Sequence, residues 1–287
     1  MSLQTSQALL EKVTAALAPV AGVRAVVLGG SRGRGVHHAS SDYDIGLYYD
    51  GELDIAGLER AAQALNDAGT HRSYRAGDAA APLMTAIGGW GPWVDGGGWL
   101  IVDGEPLDIL YRDRRRVERV IAESLAGRFE CAYHVGHPHA FVSTIYAGEV
   151  ATAQALHDPS SFVAACKAKL APYPPALRDA AMARFADEAR FFLAMARDAA
   201  GKGDVTYVAG CAFRAAACLL QAIFARNGQW LINEKGALAL AAKFAVVPKD
   251  LRRNMEAAFA ELASGPQGLI SALGALGDLL DETVALA

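Results

Sequence analysis

The chain has 287 residues, of which 53% are hydrophobic and 20% are charged, a composition typical of folded proteins and not of disordered ones. Its 27 lysines and arginines stand against 31 aspartates and glutamates, which gives a net charge of −4. This charge argues against a protein that coats nucleic acid through bulk positive charge, and the length predicts about two domains.

The uncharged stretches of the sequence do not resemble membrane spans. The longest of them contain glycine and proline, or three histidines and a proline, so neither predicts a helix that crosses a bilayer. The first residues lack the basic start and the long apolar run of a signal peptide. The four cysteines show no C-x-x-C pairing, which fits a reducing compartment. We therefore expect a cytoplasmic protein with no membrane partner.

Residues 1–125 consist of short apolar runs separated by Gly, Asp and Asn. An Asp-Gly dipeptide between two β-rich runs, at Asp103-Gly104, predicts a hairpin, and leucine and alanine at helical spacing predict two helices. In chain order the predicted elements are the helix Ser6–Leu17, the strands Val23–Leu28 and Tyr43–Tyr49, the helix Ile55–Asn66, and the strands Trp99–Val102 and Pro106–Tyr111. A small mixed β-sheet with covering helices is therefore predicted.

Residues 126–287 are rich in alanine, and their large apolar residues recur every three or four positions, as in helices. Prolines mark the breaks between these segments. The predicted helices are Phe162–Leu170, Leu177–Ala200, Thr206–Arg226, Gly236–Phe244, Lys249–Leu262 and Gln267–Ala285. This half is predicted to be an all-α helical bundle, which makes the fold class of the whole chain α+β.

Two aspartates lie at the start of the second predicted strand. The first strand ends in Gly29-Gly30-Ser31, ten residues follow, and Asp42-Tyr43-Asp44 opens the second strand. Because side chains alternate along a strand, Asp42 and Asp44 are expected on one face. Neighbouring carboxylates repel each other unless a cation lies between them. The pair therefore favours a divalent cation, with Mg²⁺ preferred because it takes carboxylates together with phosphate oxygens.

The turn before these aspartates is suited to a phosphate. Gly29 and Gly30 allow the backbone to approach a ligand closely, and the Ser31 hydroxyl and nearby N–H groups are phosphate-binding groups. Arg32 and Arg34 follow the turn. Their guanidinium groups are candidates for phosphate contacts, with solvated loop arginines as the alternative.

A third acidic residue, Asp108, lies among apolar neighbours in the segment Glu105–Tyr111. An unpaired carboxylate would be costly at such a position. If the hairpin places this strand beside the one that begins at Asp42, three carboxylates converge. Such a set supports a two-metal site for phosphoryl transfer.

The pattern formed by Gly30, Ser31, Asp42, Asp44 and Asp108 resembles that of the nucleotidyltransferases related to DNA polymerase β. This superfamily includes poly(A) polymerases and the nucleotidyltransferases that modify aminoglycosides and lincosamides. The resemblance implies a nucleoside triphosphate substrate, with ATP expected, two Mg²⁺ ions, and transfer of a nucleoside monophosphate to an acceptor hydroxyl with release of pyrophosphate. It also implies that residues 1–125 are the catalytic domain and residues 126–287 a helical substrate-binding domain.

The resemblance further suggests a role for each carboxylate. Asp42 and Asp44 would bridge the metals, whereas Asp108 would bind the metal near the acceptor and help to remove its proton. We expect a small hydroxylated acceptor, similar to an aminoglycoside, because the chain is acidic and has no obvious RNA-binding module. The alternatives are an RNA or protein acceptor, and a nucleotide-binding regulator without turnover; the complete carboxylate set favours catalysis.

Lys235, between two predicted helices, is a candidate for a phosphate contact or a residue of a polar turn. Glu149 and Glu188 are candidates for a general base supplied by the helical domain, with a surface role as the alternative. The tryptophans of Gly88–Leu100 form either a stacking wall or a plug at a domain interface.

Two further groups of polar residues are expected to be structural. The arginines that follow Asp108 predict the solvated start of a helix; they are Arg112, Arg114, Arg115, Arg116 and Arg119. Arg112 is also close enough to Asp108 in the sequence to affect the site. The histidines His134, His137 and His139 lack the sequence context of a zinc site. They are expected in a loop or at a domain junction.

Overall fold

The computed structural model describes residues 3–35, 38, 41–70 and 81–286. Two compact units make up the chain. The first contains the residues up to Ile121 together with Tyr146–Ala171, and the second contains Ala122–Ile145 and the residues from Pro172 onward. The first unit is therefore built from two separate stretches of the sequence.

A five-stranded sheet with the strand order β3-β4-β2-β1-β7 forms the centre of the first unit. Strands β2 and β4 are parallel, whereas the other neighbouring pairs are antiparallel, so the sheet is mixed, as predicted. The strands are β1 (Val23–Leu28), β2 (Tyr43–Tyr49), β3 (Gly97–Val102), β4 (Glu105–Asp113) and β7 (Gln154–His157).

Helices cover this sheet, and their apolar faces complete its core. Val13 and Leu17 of α1 and Leu58 of α3 are fully buried in one cluster with strand residues. The start of α3 is capped by Asp54, whose carboxylate accepts a hydrogen bond from the Gly57 N–H. The helices are α1 (Leu3–Leu17), α2 (Gly30–Gly33), α3 (Ile55–Leu65), α4 (Arg114–Leu125), α5 (Ile145–Thr152) and α6 (Phe162–Leu170).

The second unit combines a two-stranded hairpin with five helices among the described residues. Its two longest helices, α7 and α8, bury many alanines, which lets helix backbones approach closely. The elements are β5 (Cys131–His134), β6 (His137–Val142), α7 (Pro175–Gly201), α8 (Val205–Arg226), α9 (Ala237–Ala241), α10 (Leu251–Glu261) and α11 (Gly265–Ala285).

Helix α8 is long and apolar enough to cross a membrane, but 72% of its most apolar window is buried inside the fold. Burial by neighbouring protein accounts for its hydrophobicity, as expected of a core helix.

The predicted α+β class is confirmed: a mixed sheet is followed by helices. The prediction that everything after residue 126 is helical is wrong in detail. Residues 131–142 form a hairpin with a turn at Gly136, where φ is 100°, and β7 pairs with β1 in the central sheet. These strands have only four to six residues, too few for a clear alternation of apolar and polar side chains.

Candidate active site

The parallel pairing of β2 and β4 brings two of the predicted aspartates together. Asp44 and Asp108 are direct register partners, so they project from the same face of neighbouring strands, whose backbones lie about 4.8 Å apart. Tyr43 and Ile45 are buried on the opposite face. Asp42 precedes β2 by one residue and contributes to the electrostatic environment of Asp44.

The glycine turn packs directly against this pair. The Gly29 N–H donates a hydrogen bond of 2.7 Å to the Asp44 carbonyl oxygen. Gly30 has a φ of 57°, and a Cβ atom at this position would overlap the Asp44 carboxylate. Only glycine satisfies both conditions. Ser31 follows in the first turn of α2 and is partly exposed.

Negative charge accumulates around Asp44. Its pKa is raised to about 6, first by burial and then by the carboxylates of Asp108, Asp42 and Glu149, while Arg34 opposes the increase. A raised pKa means that the ionised carboxylate lacks sufficient compensating charge within the protein. The site is therefore suited to a ligand that brings positive charge.

The two arginines after the glycine turn have different surroundings. The Arg32 guanidinium donates two hydrogen bonds, of 3.0 and 2.8 Å, to the Ser41 carbonyl oxygen and lies over the Tyr43 ring. Burial lowers the pKa of the Arg34 guanidinium, and the negative charge of Asp44 acts in the opposite direction. The Arg34 Nε atom is buried and has no hydrogen-bond partner among the described residues. Of the two, Arg34 is the arginine whose hydrogen bonding the described residues leave incomplete.

Arg112 is not at the solvated start of a helix, as the sequence suggested. It lies in β4, is only 3% exposed, and donates two hydrogen bonds of 2.7 Å to the carboxylate of Glu149. The prediction is wrong because the alternation of β4 continues through Arg112, which therefore lies on the same face as Asp108. Had the predicted strand been continued from Tyr111 to Asp113, Arg112 would have been assigned to β4 and not to the helix that contains the other arginines.

Glu149 lies on α5 in the first unit and not in the helical unit, where the sequence placed it. Its two carboxylate oxygens accept hydrogen bonds from Arg112, and its charge acts on Asp44. This role was not predicted, because Arg112 and Glu149 are 37 residues apart. A carboxylate paired in this way with a buried guanidinium has little capacity to act as a general base.

The tryptophan-rich segment is an ordered part of the first unit. The rings of Trp90 and Trp99 stack with centroids 4.6 Å apart, and Trp99 is the register partner of Asp108 across β3 and β4. Because register partners project from the same face of a sheet, Trp99 shares a face with the carboxylates of Asp44 and Asp108. Asp95, in the same segment, is buried and forms an ion pair of 2.7 Å with Arg116.

The remaining predicted residues belong to the second unit. Lys235 is exposed in the connection between α8 and α9, where its backbone N–H donates to Asn233 Oδ1 at 2.8 Å; its role in nucleotide binding stays a prediction. Glu188 pairs with Arg184 at 2.8 Å. The three histidines lie on the strands of the β5–β6 hairpin, so the expectation of a loop is wrong for them.

The fit of a divalent cation can be judged from these carboxylates. Within residues 3–35, 38, 41–70 and 81–286, no three His, Cys, Asp or Glu side chains already form a metal-binding cluster. Mg²⁺ is commonly held by one or two carboxylates together with substrate phosphates and water. The adjacent carboxylates of Asp44 and Asp108, with their excess negative charge, fit a cation that binds together with a nucleotide.

Part of the first unit is similar in sequence to a known protein family. Residues 9–75 match the model of a nucleotidyltransferase domain, a stretch that includes the glycine turn, Asp42 and Asp44 but ends before Asp108. No curated protein matches the sequence. Among solved structures, a nucleotidyltransferase-like protein from Exiguobacterium sibiricum 255-15 is 11% identical, with 98% of this chain and 76% of that chain covered and a TM-score of 0.44. Residues 9–75 of the first unit are therefore similar to a nucleotidyltransferase domain.

Proposed function

We propose that the protein transfers a nucleoside monophosphate from a Mg²⁺-bound nucleoside triphosphate, with ATP preferred, to a hydroxyl group of a small acceptor. The observation that supports this most strongly is the register pairing of Asp44 with Asp108 beside the Gly29-Gly30 turn. Nucleotidyl transfer needs a phosphate-binding turn and carboxylates within reach of the same phosphoryl group, and the glycine turn beside β2 and β4 is suited to both roles.

The nucleotide is bound by the turn and by Arg34. The backbone of Gly29 and Gly30 and the hydroxyl of Ser31 face the triphosphate, and the guanidinium of Arg34, which lies near enough to Asp44 to interact with its charge, donates to one of the phosphate oxygens. Arg32 contributes indirectly, because its guanidinium is bound to the Ser41 carbonyl oxygen. It thereby fixes the backbone that leads into the aspartates.

Asp42, Asp44 and Asp108 would hold the Mg²⁺ ions. The bound metal supplies positive charge to the triphosphate and makes the acceptor hydroxyl easier to ionise. Asp108 lies at the end of the set next to Trp99, and in this proposal it accepts the proton of the acceptor hydroxyl. Trp99 presents an indole ring on which a planar face of a bound molecule can stack.

The ion pair of Arg112 and Glu149 contributes to the electrostatic environment of the aspartates. Glu149 adds a negative charge to the environment of Asp44, and Arg112 holds that carboxylate in a fixed orientation through two hydrogen bonds. In this proposal both are positioning residues, because their guanidinium and carboxylate groups are bound to each other by two hydrogen bonds.

A small acceptor is favoured over a polynucleotide by the net charge of −4, since nucleic-acid binding depends on positive charge that displaces counterions. An RNA or protein acceptor is the second candidate within the same reaction class. The small acceptor, the use of ATP and a cytoplasmic location are all parts of the proposal.

The test is incubation with each of the four labelled nucleoside triphosphates, Mg²⁺ and a panel of hydroxylated acceptors, with pyrophosphate release and labelled product as readouts. We expect turnover in the wild type and none in Asp108→Asn. Asp103→Asn is the matched control, because Asp103 is exposed in the turn of the same hairpin. Normal turnover in Asp108→Asn would exclude the proposed mechanism, and release of pyrophosphate only with RNA would favour the second candidate.

A further inference from the structure

The second unit contains a cavity of about 230 Å³ whose walls are almost entirely apolar. Residues of α8, α9 and α10, of the strand β6 and of the α8–α9 connection line it. Its apolar lining includes Phe213, Leu220, Leu238, Met255 and Phe259. None of these residues takes part in the site described above, so the cavity requires its own explanation.

The charged groups in the cavity wall are all negative. The polar lining residues are His139, Gln221, Glu234 and Glu256, and no lysine or arginine from the described part of the chain lines the cavity. Burial and the charge of Arg214 lower the pKa of the His139 imidazole to about 4, so this ring is neutral at pH 7. Two carboxylates are therefore the charged groups of the lining.

The two carboxylates differ in how their charge is compensated. Glu256 pairs with Arg252 at 2.7 Å, one turn earlier in α10, and its side chain is 55% exposed. The side chain of Glu234 is only 16% exposed. Its carboxylate accepts a hydrogen bond from the His139 N–H at 3.2 Å and lies 3.1 Å from His137 Nδ1. No lysine or arginine that the structure describes forms an ion pair with Glu234.

Glu234 is ionised at neutral pH and has room for a further hydrogen-bond donor. Burial acts to raise its pKa, but hydrogen bonds from His137 and from backbone N–H groups lower it overall. An ionised carboxylate has about four acceptor sites, and the two contacts use one site on each oxygen. Each oxygen therefore keeps a second site. A partly buried anion attracts a cation more strongly than an exposed one does, because the surrounding dielectric is lower.

We propose that the cavity binds a small organic cation, an apolar body with one primary ammonium group that donates to the Glu234 carboxylate. An engineered apolar cavity of about 150 Å³ binds benzene, so this cavity suits a body about half as large again. The aromatic lining residues Phe213 and Phe259 are favourable neighbours for an organic cation. The proposal is independent of nucleotidyl transfer, because the cavity shares no residue with that site.

Phenethylammonium and 2-phenylethanol are the probes for this site, because they have the same apolar body and only the first is charged. The full chain is titrated with each at pH 7 by ligand-observed NMR. We expect phenethylammonium to bind about tenfold more tightly than 2-phenylethanol, the difference made by a hydrogen bond between charged groups.

A charge-removing variant tests the role of Glu234. In Glu234→Gln, the affinity for phenethylammonium should fall to that for 2-phenylethanol, whose own affinity should not decrease. Glu261→Gln is the matched control, because Glu261 is an exposed glutamate at the end of α10 that does not line the cavity. This variant should bind both probes as the wild type does.

A second pair of variants tests the cavity without changing Glu234. Leu238→Trp fills the cavity and should abolish binding of both probes, whereas Ala239→Trp, at the neighbouring exposed position, should bind both as the wild type does. The proposal is overturned if phenethylammonium does not bind, or if the two probes bind with equal affinity. It is equally overturned if Glu234→Gln or Leu238→Trp binds phenethylammonium normally.

Discussion

At the scale of single residues, Asp44 is the residue on which the site depends most. It is the register partner of Asp108, it accepts the Gly29 N–H through its carbonyl oxygen, and its carboxylate lies against Gly30. The same crowding raises its pKa. The Gly29-Gly30 turn and strand β4 thus determine where the Asp44 carboxylate lies, and the same neighbours affect how readily it ionises.

Gly30→Ala is expected to reduce the rate of nucleotidyl transfer by about 10²-fold, because displacement of a catalytic group by about 1 Å has an effect of this size. The new methyl group would overlap the Asp44 carboxylate. Gly35→Ala is the control, since Gly35 also has a positive φ, of 69°, but no atom of the described residues lies within 4 Å of an added Cβ. Equal losses in the two variants, measured by pyrophosphate release, would show that backbone strain and not the contact with Asp44 is responsible.

The raised pKa of Asp44 predicts a pH-dependent stability in the absence of metal. The folded state binds the Asp44 proton more tightly than the unfolded state, so this residue's contribution is most favourable below pH 3.8 and is lost as the pH rises towards about 6. Asp44→Asn removes the charge and should raise the free energy of unfolding at pH 7 by roughly 3 kcal/mol.

Urea unfolding in EDTA at pH 4 and pH 7 measures this effect. The free energy of unfolding of Asp44→Asn should exceed that of the wild type at pH 7, and this difference should shrink on acidification. At pH 7 the difference should also become smaller when Mg²⁺ and ATP are added to the wild type. A difference between the two proteins that does not change with pH would contradict the assigned cause.

The residues of this site were predictable to the extent that they follow local patterns. The alternation of β2 and the apolar neighbours of Asp108 were sufficient to predict that Asp44 and Asp108 lie on one sheet, with Asp42 one residue before β2. The contribution of Glu149 to this site was not predictable, because it depends on hydrogen bonds to Arg112, which lies 37 residues earlier in the chain. Period-two alternation reports which face a residue occupies, but it carries no information on which distant segment covers that face.

At the scale of elements, the mixed sheet is what assembles the candidate site. The parallel pair β2–β4 aligns the aspartates, and the antiparallel pair β3–β4 places Trp99 next to Asp108. The strands of residues 23–113 matched the prediction closely because Gly and Asp turns delimit them. The four-residue strand β7 was missed because it is too short to show a period, and α9 is shorter than predicted.

The pairing of β4 with α5 through Arg112 and Glu149 makes a clear prediction. Glu149→Gln should destabilise the protein by about 3–5 kcal/mol, because it leaves the buried Arg112 charge without a partner. Asp198→Asn, which breaks an exposed i,i+4 pair with Lys202, should change stability by less than about 1 kcal/mol. Thermal or urea unfolding compares the two, and an equally small effect of both would mean that Arg112 is compensated by another group.

At the scale of the whole molecule, the first unit is discontinuous in sequence. Residues 146–171 supply β7 and α5 to it, whereas the composition of the sequence suggested a division near residue 125. Ala-rich helical composition continues through both α6 and α7, so it does not mark the point at which the chain leaves the sheet. The fold class could be read from composition and period, but the path of the chain depends on long-range pairing.

This arrangement predicts the behaviour of fragments. A fragment of residues 1–125 lacks both the β1 partner strand β7 and the Glu149 partner of Arg112, so we expect it to give the poorly dispersed amide spectrum of an unfolded chain. A fragment of residues 1–171 contains both and should show dispersed signals and cooperative unfolding. Cooperative folding of the shorter fragment would mean that β7 and α5 are accessory to the first unit.

Asp44 and Asp108 are proposed to hold one cation together with a nucleotide. Electron paramagnetic resonance of Mn²⁺, a substitute for Mg²⁺, measured with a non-hydrolysable ATP analogue, reports on that cation. If the two aspartates hold it, Asp44→Asn and Asp108→Asn should each weaken Mn²⁺ binding by at least about tenfold, while Asp103→Asn should bind as the wild type does. Wild-type binding of Mn²⁺ and nucleotide by Asp108→Asn would show that Asp108 is not a ligand.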